Sequence, residues 1–228
     1  MIIKLKIIND IIWSMNLKQI KQELHSIKRT QFGISIPELR KLAKKIAKNI
    51  YKEFIETNDF SSFELKLLHA FTLGYIKENI NVLIKYFENF IPQVNDWAVN
   101  DSLCQNFKIA RNYPDIFWNF IMKYKNSKKE FESRIVAVIL LSHYLNDEYI
   151  DKVIKVLNQL NTDDYYSQMG TAWAIATVMG KYPQKCMEYL TSKSCNLDKT
   201  TYNKALQKIR ESFRVSDDIK QLTKSMQK

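Results

Sequence analysis

Apolar residues recur along this chain at helical spacing. Phe63, Leu67, Leu68, Phe71 and Tyr75 advance by steps that keep them on one face of an α-helix. No stretch alternates apolar and polar positions between glycine turns, as a half-buried strand would. Pro37, Pro114 and Pro183 each open a helical pattern, in the first turn, where a residue with fixed φ and no N–H fits. Asn58-Asp59 and Asn146-Asp147 mark breaks, and Asp163 or Asp164 stands where the next helix needs an N-cap.

Helix pairs are predicted to begin near Ser61, Val94, Lys129, Asp164 and Asp198, at spacings of 33, 35, 35 and 34 residues. A period of that size leaves room for a helix, a short turn and a second helix, and each such pair buries its apolar face only against its neighbours. The Trp, Leu-Gly, Tyr and Pro pattern of tetratricopeptide repeats is absent, so divergent HEAT-like pairs fit better. The expected fold is all-α: a single right-handed superhelical solenoid of HEAT-like pairs with a concave groove, one domain over 1–228, with residues 1–60 supplying about three N-terminal helices.

Composition narrows the chemistry. Only Gly33, Gly74, Gly170 and Gly180 occur among 228 residues, against roughly 7% in average proteins, which disfavours hairpin-rich and phosphate-loop folds. Apolar residues make up 46% and charged residues 26%, a globular balance. The longest apolar run, Ile135 to Leu141, is too short for a membrane span. Lys4, Lys6, Asn9 and Asp10 break the apolar N-terminus, so no signal peptide is expected. Cys104, Cys186 and Cys195 lack metal spacing and suit free thiols in a cytoplasmic protein. The net charge of +11 favours a polyanionic partner, although 29 of the 35 basic residues are Lys and a solvated lysine coat would produce the same total.

Most enzyme signatures are missing: no His-Glu-x-x-His, Cys-x-x-Cys, phosphate loop or Gly-x-Ser-x-Gly occurs. His25, His69 and His143 fall in separate helices and read as partly buried polar residues, so no metal is expected. One constellation remains. Trp97 and Asp101 are four apart and share a helix face; Arg134 and Trp173 lie on the first helices of the next two pairs. Their offsets from the repeat starts differ by about 9 Å along the helix axes, so the four side chains are predicted to meet in one groove. The competing account makes both tryptophans core residues and pairs Asp101 with a lysine.

The segment Phe32-Gly33-Ile34-Ser35-Ile36-Pro37-Glu38-Leu39-Arg40-Lys41-Leu42-Ala43 resembles the N-terminal signature of the bacterial AlkD-like DNA alkylation-repair family. Asn95-Asp96-Trp97-Ala98-Val99-Asn100-Asp101 is similar to its Trp-x-x-x-Asp motif, Arg134-Ile135-Val136-Ala137 to its Arg-led apolar helix, and Gln168 to Trp173 to the helix bearing its second tryptophan. The resemblance implies a glycosylase that excises cationic N3- or N7-alkylated purines from double-stranded DNA. Asp101 would be the catalytic carboxylate, Trp97 and Trp173 aromatic walls, and Arg134 a contact to the DNA backbone. Arg40 and Lys41, from the signature segment, and Arg210 and Arg214 near the C-terminus are further candidates for phosphate contacts. The implied protein is a monomer without small-molecule cofactor. Two positions depart from the family pattern: Ala98 stands where an acidic residue usually follows the first tryptophan, and Ala176 where an arginine often lies three residues after the second. A non-catalytic DNA binder and a protein-interaction scaffold are the alternatives, and a scaffold has no use for the Trp97, Asp101, Arg134 and Trp173 set.

Overall fold

The computed structural model describes residues 17–27, 29–30 and 33–226. The N-terminal apolar run with Lys4, Lys6, Asn9 and Asp10, and Phe32 of the signature segment, lie outside the described residues. Among the described residues, thirteen α-helices and three short 3-10 turns account for the ordered elements but for one short pairing. The α-helices are α1 (Leu17–Ser26), α2 (Ile36–Asn49), α3 (Tyr51–Glu56), α4 (Phe63–Leu73), α5 (Ile80–Phe90), α6 (Trp97–Asn106), α7 (Pro114–Ile121), α8 (Glu130–His143), α9 (Ile150–Leu157), α10 (Tyr165–Lys181), α11 (Pro183–Thr191), α12 (Lys199–Glu211) and α13 (Asp217–Leu222). The exception is an antiparallel pair, β1 (Arg29–Thr30) with β2 (Gly33–Ile34), Arg29 opposite Ile34 and Thr30 opposite Gly33. Strands were not expected, and a ladder of two residues is too short to impose any alternation on a sequence.

The first helices of the pairs start at Phe63, Trp97, Glu130, Tyr165 and Lys199, one to three residues after the positions read from the sequence. Three helices precede them among the described residues. Pro37, Pro114 and Pro183 occupy the first turns of α2, α7 and α11. Asn58 ends α3 with φ 46°, a left-handed backbone that asparagine tolerates better than most residues. The contacts cluster into two compact units that divide after Phe107, where the sequence has one domain over 1–228. The division falls inside the second predicted pair, where α6 ends at Phe107 (φ −79°, ψ 56°) and a 3-10 turn runs from Lys108 to Arg111. Each unit is described on its own.

In the first unit α4 packs on both α2 and α6. Leu39, Leu42 and Ile46 from α2 meet Leu67, Leu68 and Phe71 of α4, and Val99 and Leu103 of α6 close the far side, all 3% exposed or less. Among the polar residues inside this packing are Asn106 and His69. Asn106 ends α6 and donates from Nδ2 to the Phe71 carbonyl (2.9 Å), while Arg40 Nη1 donates to Asn106 Oδ1 (3.2 Å). Gly74, which follows α4, makes room for that amide: a Cβ there would lie 2.1 Å from Asn106 Nδ2.

His69 is boxed by Phe90 (centroids 4.8 Å apart), Phe60 (4.9 Å) and Phe54 (5.2 Å), with Nδ1 lacking a hydrogen-bond partner among the described residues. Burial lowers its pKa from 6.5 to about 3, so the folded protein holds a neutral imidazole. A base whose folded pKa lies below its unfolded value leaves stability intact above pH 6.5 and withdraws it as pH falls from there toward 3. Between pH 7.5 and 5.5 the loss is about 1.4 kcal/mol, roughly 3–6 °C in Tm for a chain of this size. His69→Phe should flatten that part of the thermal-melt profile. A wild-type slope retained in the variant would assign the acid sensitivity elsewhere.

In the second unit α10 is the middle layer, packed on α8 and on α12. The six residues Ile135 to Leu140 are all fully buried, so α8 is apolar around its circumference. Amphipathic α9 puts Ile150, Val153 and Leu157 inward, and α12 contributes Ala205, Leu206 and Ile209. Polar ties repeat at the period of the fold: Tyr182 Oη donates to Asp147 (2.8 Å), Thr162 Oγ1 to Asp198 (2.8 Å), and Lys185 pairs with Asp151 (2.5 Å).

Candidate active site and nucleic-acid interface

Helix α6 carries the carboxylate. Its N-cap is Asp96, whose side chain accepts from the Ala98 N–H at 2.7 Å, so the acidic residue of this turn sits before the tryptophan and not after it. Trp97 follows on the first turn and is 52% exposed, which removes it from the core. Asp101, one turn on, is only 9% exposed and is flanked in sequence by Asn100, which is fully buried. Asn100 Nδ2 donates to Asp101 Oδ1 at 3.1 Å and thereby orients the carboxylate. The Asn100 Oδ1 is buried with no hydrogen-bond partner among the described residues. Asp101 is therefore a nearly buried carboxyl group one helical turn from a half-exposed indole.

Arg40 serves the same unit from within. Its guanidinium lies 4.1 Å from the Phe71 ring centroid and donates to Asn106 Oδ1 and to the Tyr75 hydroxyl (3.4 Å). Lys41 is exposed and faces a small cleft with Glu23, Glu38 and Lys45.

In the second unit Arg134 is 5% exposed, with Nη1 donating to the Tyr166 carbonyl at 2.9 Å. Glu130 Oε1 accepts from the N–H of the same Tyr166 at 2.6 Å. The opening turn of α10 is thus held by two side chains of α8. Asp164 does occupy the N-cap position of α10, but its side chain makes no capping bond. Gly170 lets the Arg134 stem pass, since a Cβ there would come within 3.0 Å of Arg134 Cγ. Arg210 is similarly engaged, donating from Nη1 to the Thr223 carbonyl at 3.2 Å.

Trp173 is partly exposed and lines a cavity of about 500 Å³ with Leu141, Ala176, Lys208, Phe213 and Arg214. Arg214 therefore stands in the same cavity as Ala176, the position where the family often has arginine. A second cavity of about 440 Å³ shares Leu141, Thr177 and Arg214 and is further lined by Arg111, His143 and Lys181. Arg111 donates to His143 Nδ1 (3.2 Å) and to the Ser142 carbonyl (2.8 Å). Of the three histidines expected to be partly buried, His69 and His143 are buried and His25 is exposed.

Trp97, Asp101, Arg40 and Lys41 belong to the first unit, and Arg134, Trp173, Arg210 and Arg214 to the second. Within the units, Trp97 and Asp101 share α6, and Trp173 and Arg214 share a cavity. Three residues escaped the sequence reading: Asn100, Lys208 and Phe213. An aromatic next to arginine in a polar stretch, as in Ser212-Phe213-Arg214, is the signal that would have found the last.

Residues 15–209 match the family described as DNA alkylation repair enzyme, and the chain belongs to that family. The match spans the Trp97–Asp101 helix, Arg134 and Trp173, and stops just before Arg210 and Arg214. Neither a curated protein nor a solved structure matches the chain. Among the described residues no helix is long and apolar enough to cross a membrane.

Proposed function

We propose that this protein is a DNA glycosylase that releases cationic N3- or N7-alkylated purines from duplex DNA. The observation that carries this reading is a nearly buried carboxylate, Asp101, oriented by Asn100 next to the half-exposed Trp97, in a member of a DNA alkylation repair family. An alkylated purine already bears positive charge. When its glycosidic bond breaks, the electron pair goes to the base nitrogen and the base leaves neutral, so no acid is needed to protonate it. Positive charge moves to the deoxyribose, water adds at C1′, and the proton lost from that water passes to solvent. A fixed anion in a poorly hydrated position stabilises the charged sugar and orients the attacking water. The indole face of Trp97 attracts the cationic base, worth about 0.5–2 kcal/mol. Arg134, held at the Tyr166 carbonyl, acts on this reading chiefly by fixing the start of the helix that carries Trp173. Phosphate contacts fall to the exposed Arg214 and Lys41.

The deciding experiment incubates the wild-type protein with duplex DNA carrying N7-methylguanine and scores free base and abasic sites. A second reading, a DNA binder that leaves the glycosidic bond intact, is favoured by Ala98 and Ala176; binding without release is its signature. Under either reading duplex affinity should fall with salt at a log–log slope of about −0.9 per phosphate neutralised. An affinity indifferent to salt would reduce the net charge of +11 to a solvated lysine coat.

A further inference from the structure

Phe213 is the most exposed large apolar side chain of the described residues, at 104%. Its backbone is held on both sides. The Ser212 N–H donates to the Ile209 carbonyl (3.2 Å) as α12 ends, the Arg214 N–H donates to Ser212 Oγ (3.2 Å), and Val215 is buried at 6%. Arg214 also packs on Gly180, where a Cβ would come within 3.1 Å of Arg214 Cβ. A turn anchored this way presents the ring outward at the rim of the cavity floored by Trp173 and Ala176. The side chains of Arg214 and Lys208, on the same rim, have no ion-pair or hydrogen-bond partner among the described residues. Glu211, whose Oε1 accepts from Gln207 Nε2 at 2.8 Å, is the one acidic residue there.

We propose that this rim is a binding site for unpaired nucleotides, with Phe213 stacking on a base and Arg214 and Lys208 taking the flanking phosphates. Intact duplex hides its base faces and leaves a projecting phenyl ring nothing to stack on, whereas every unpaired base offers a π face whatever its sequence. The cations give the site its strand, and the ring selects single-stranded over paired DNA. The proposal rests on the reading of the protein as a nucleic-acid binder and adds to it a contact to single-stranded nucleotides.

The test measures anisotropy of a labelled oligothymidylate and of a blunt duplex, using the full chain. Phe213→Ala is expected to fold normally and to weaken oligothymidylate binding by roughly ten-fold or more, leaving affinity for the blunt duplex and release of N7-methylguanine unchanged. Phe213→Trp should restore binding, and Arg214→Gln should lower the oligothymidylate salt slope by about one phosphate contact. Equal oligothymidylate affinity for wild type and Phe213→Ala overturns the proposal. So does a wild-type protein that does not bind oligothymidylate, which would turn the exposed ring into a protein-docking feature. Binding of oligothymidylate by a protein that releases no N7-methylguanine from duplex DNA removes the glycosylase and leaves this site standing.

Discussion

Asp101→Asn should slow release of N7-methylguanine by about 10²–10³-fold, the loss seen when a preorganised group facing developing charge is removed, with duplex affinity nearly unchanged. The change keeps the shape of the side chain and retains Oδ1 as the acceptor for Asn100 Nδ2, so the position of the group survives and only its charge goes. That charge is worth more here than in water, because Asp101 is 9% exposed and its helix neighbours Val99, Asn100 and Leu103 are fully buried. Single-turnover release, duplex affinity and Tm should be measured together. Trp97→Ala should cost less in rate and more in discrimination between alkylated and normal purines, and little in Tm, since the indole is half in solvent. An unaltered release rate for Asp101→Asn would take this residue out of the mechanism.

Gly74→Ala should destabilise the fold by about 2–5 kcal/mol, combining overpacking with a lost buried hydrogen bond. At this chain length that is roughly 5–15 °C in Tm. Gly74 has an ordinary backbone (φ −73°), so space and not conformation decides the outcome. The new methyl would meet Asn106 Nδ2 at 2.1 Å and the Asn106 carbonyl oxygen at 2.5 Å, and the second of these is backbone that cannot swing away. Displacing Asn106 breaks its bond to the Phe71 carbonyl and removes the acceptor of Arg40. It also shifts the end of the helix that carries Asp101. Gly74→Ala should therefore lose rate and Tm together, where Asp101→Asn loses rate alone. A Tm within about 2 °C of wild type, the range of a neutral surface change, would show that α6 can slide to make room.

The repeat was legible because it is written in residues whose effect is local. Proline in a first turn, an aspartate before a helix and apolar residues on one face act within a few positions of themselves, and the five first helices began close to where those signals put them. The α6 motif was legible for the same reason, Trp97 and Asp101 being one turn apart. What the sequence hid depends on partners 13 to 66 positions away. Arg40, Arg134 and Arg210 read as candidates for phosphate because nothing near them in the chain shows that their guanidinium groups are engaged by Asn106, Tyr166 and Thr223. Asp164 read as a cap because its competitor, Glu130, is on another helix. Glycine scarcity excluded other folds correctly, yet the placement of Gly74, Gly170 and Gly180 within or at the ends of helical patterns, where glycine is unfavourable, was the stronger clue: each marks a side chain passing close to a helix.

The clamp on Tyr166 bears on the order in which the chain acquires its structure. An isolated helix must satisfy its first N–H groups alone, and nucleation is its least favourable step. For α10 the acceptor and donor that fix the first turn, Glu130 and Arg134, belong to a segment synthesised 36 and 32 residues earlier. By the time Tyr166 leaves the ribosome its partners are already outside, and the same holds for Tyr182 with Asp147 and Lys185 with Asp151. Each layer can serve as a template for the one that follows, without waiting for the C-terminus. A nascent chain stalled after α10 should already protect the Tyr166 amide from exchange, whereas a chain in which α8 cannot form has nothing on which to start the next turn.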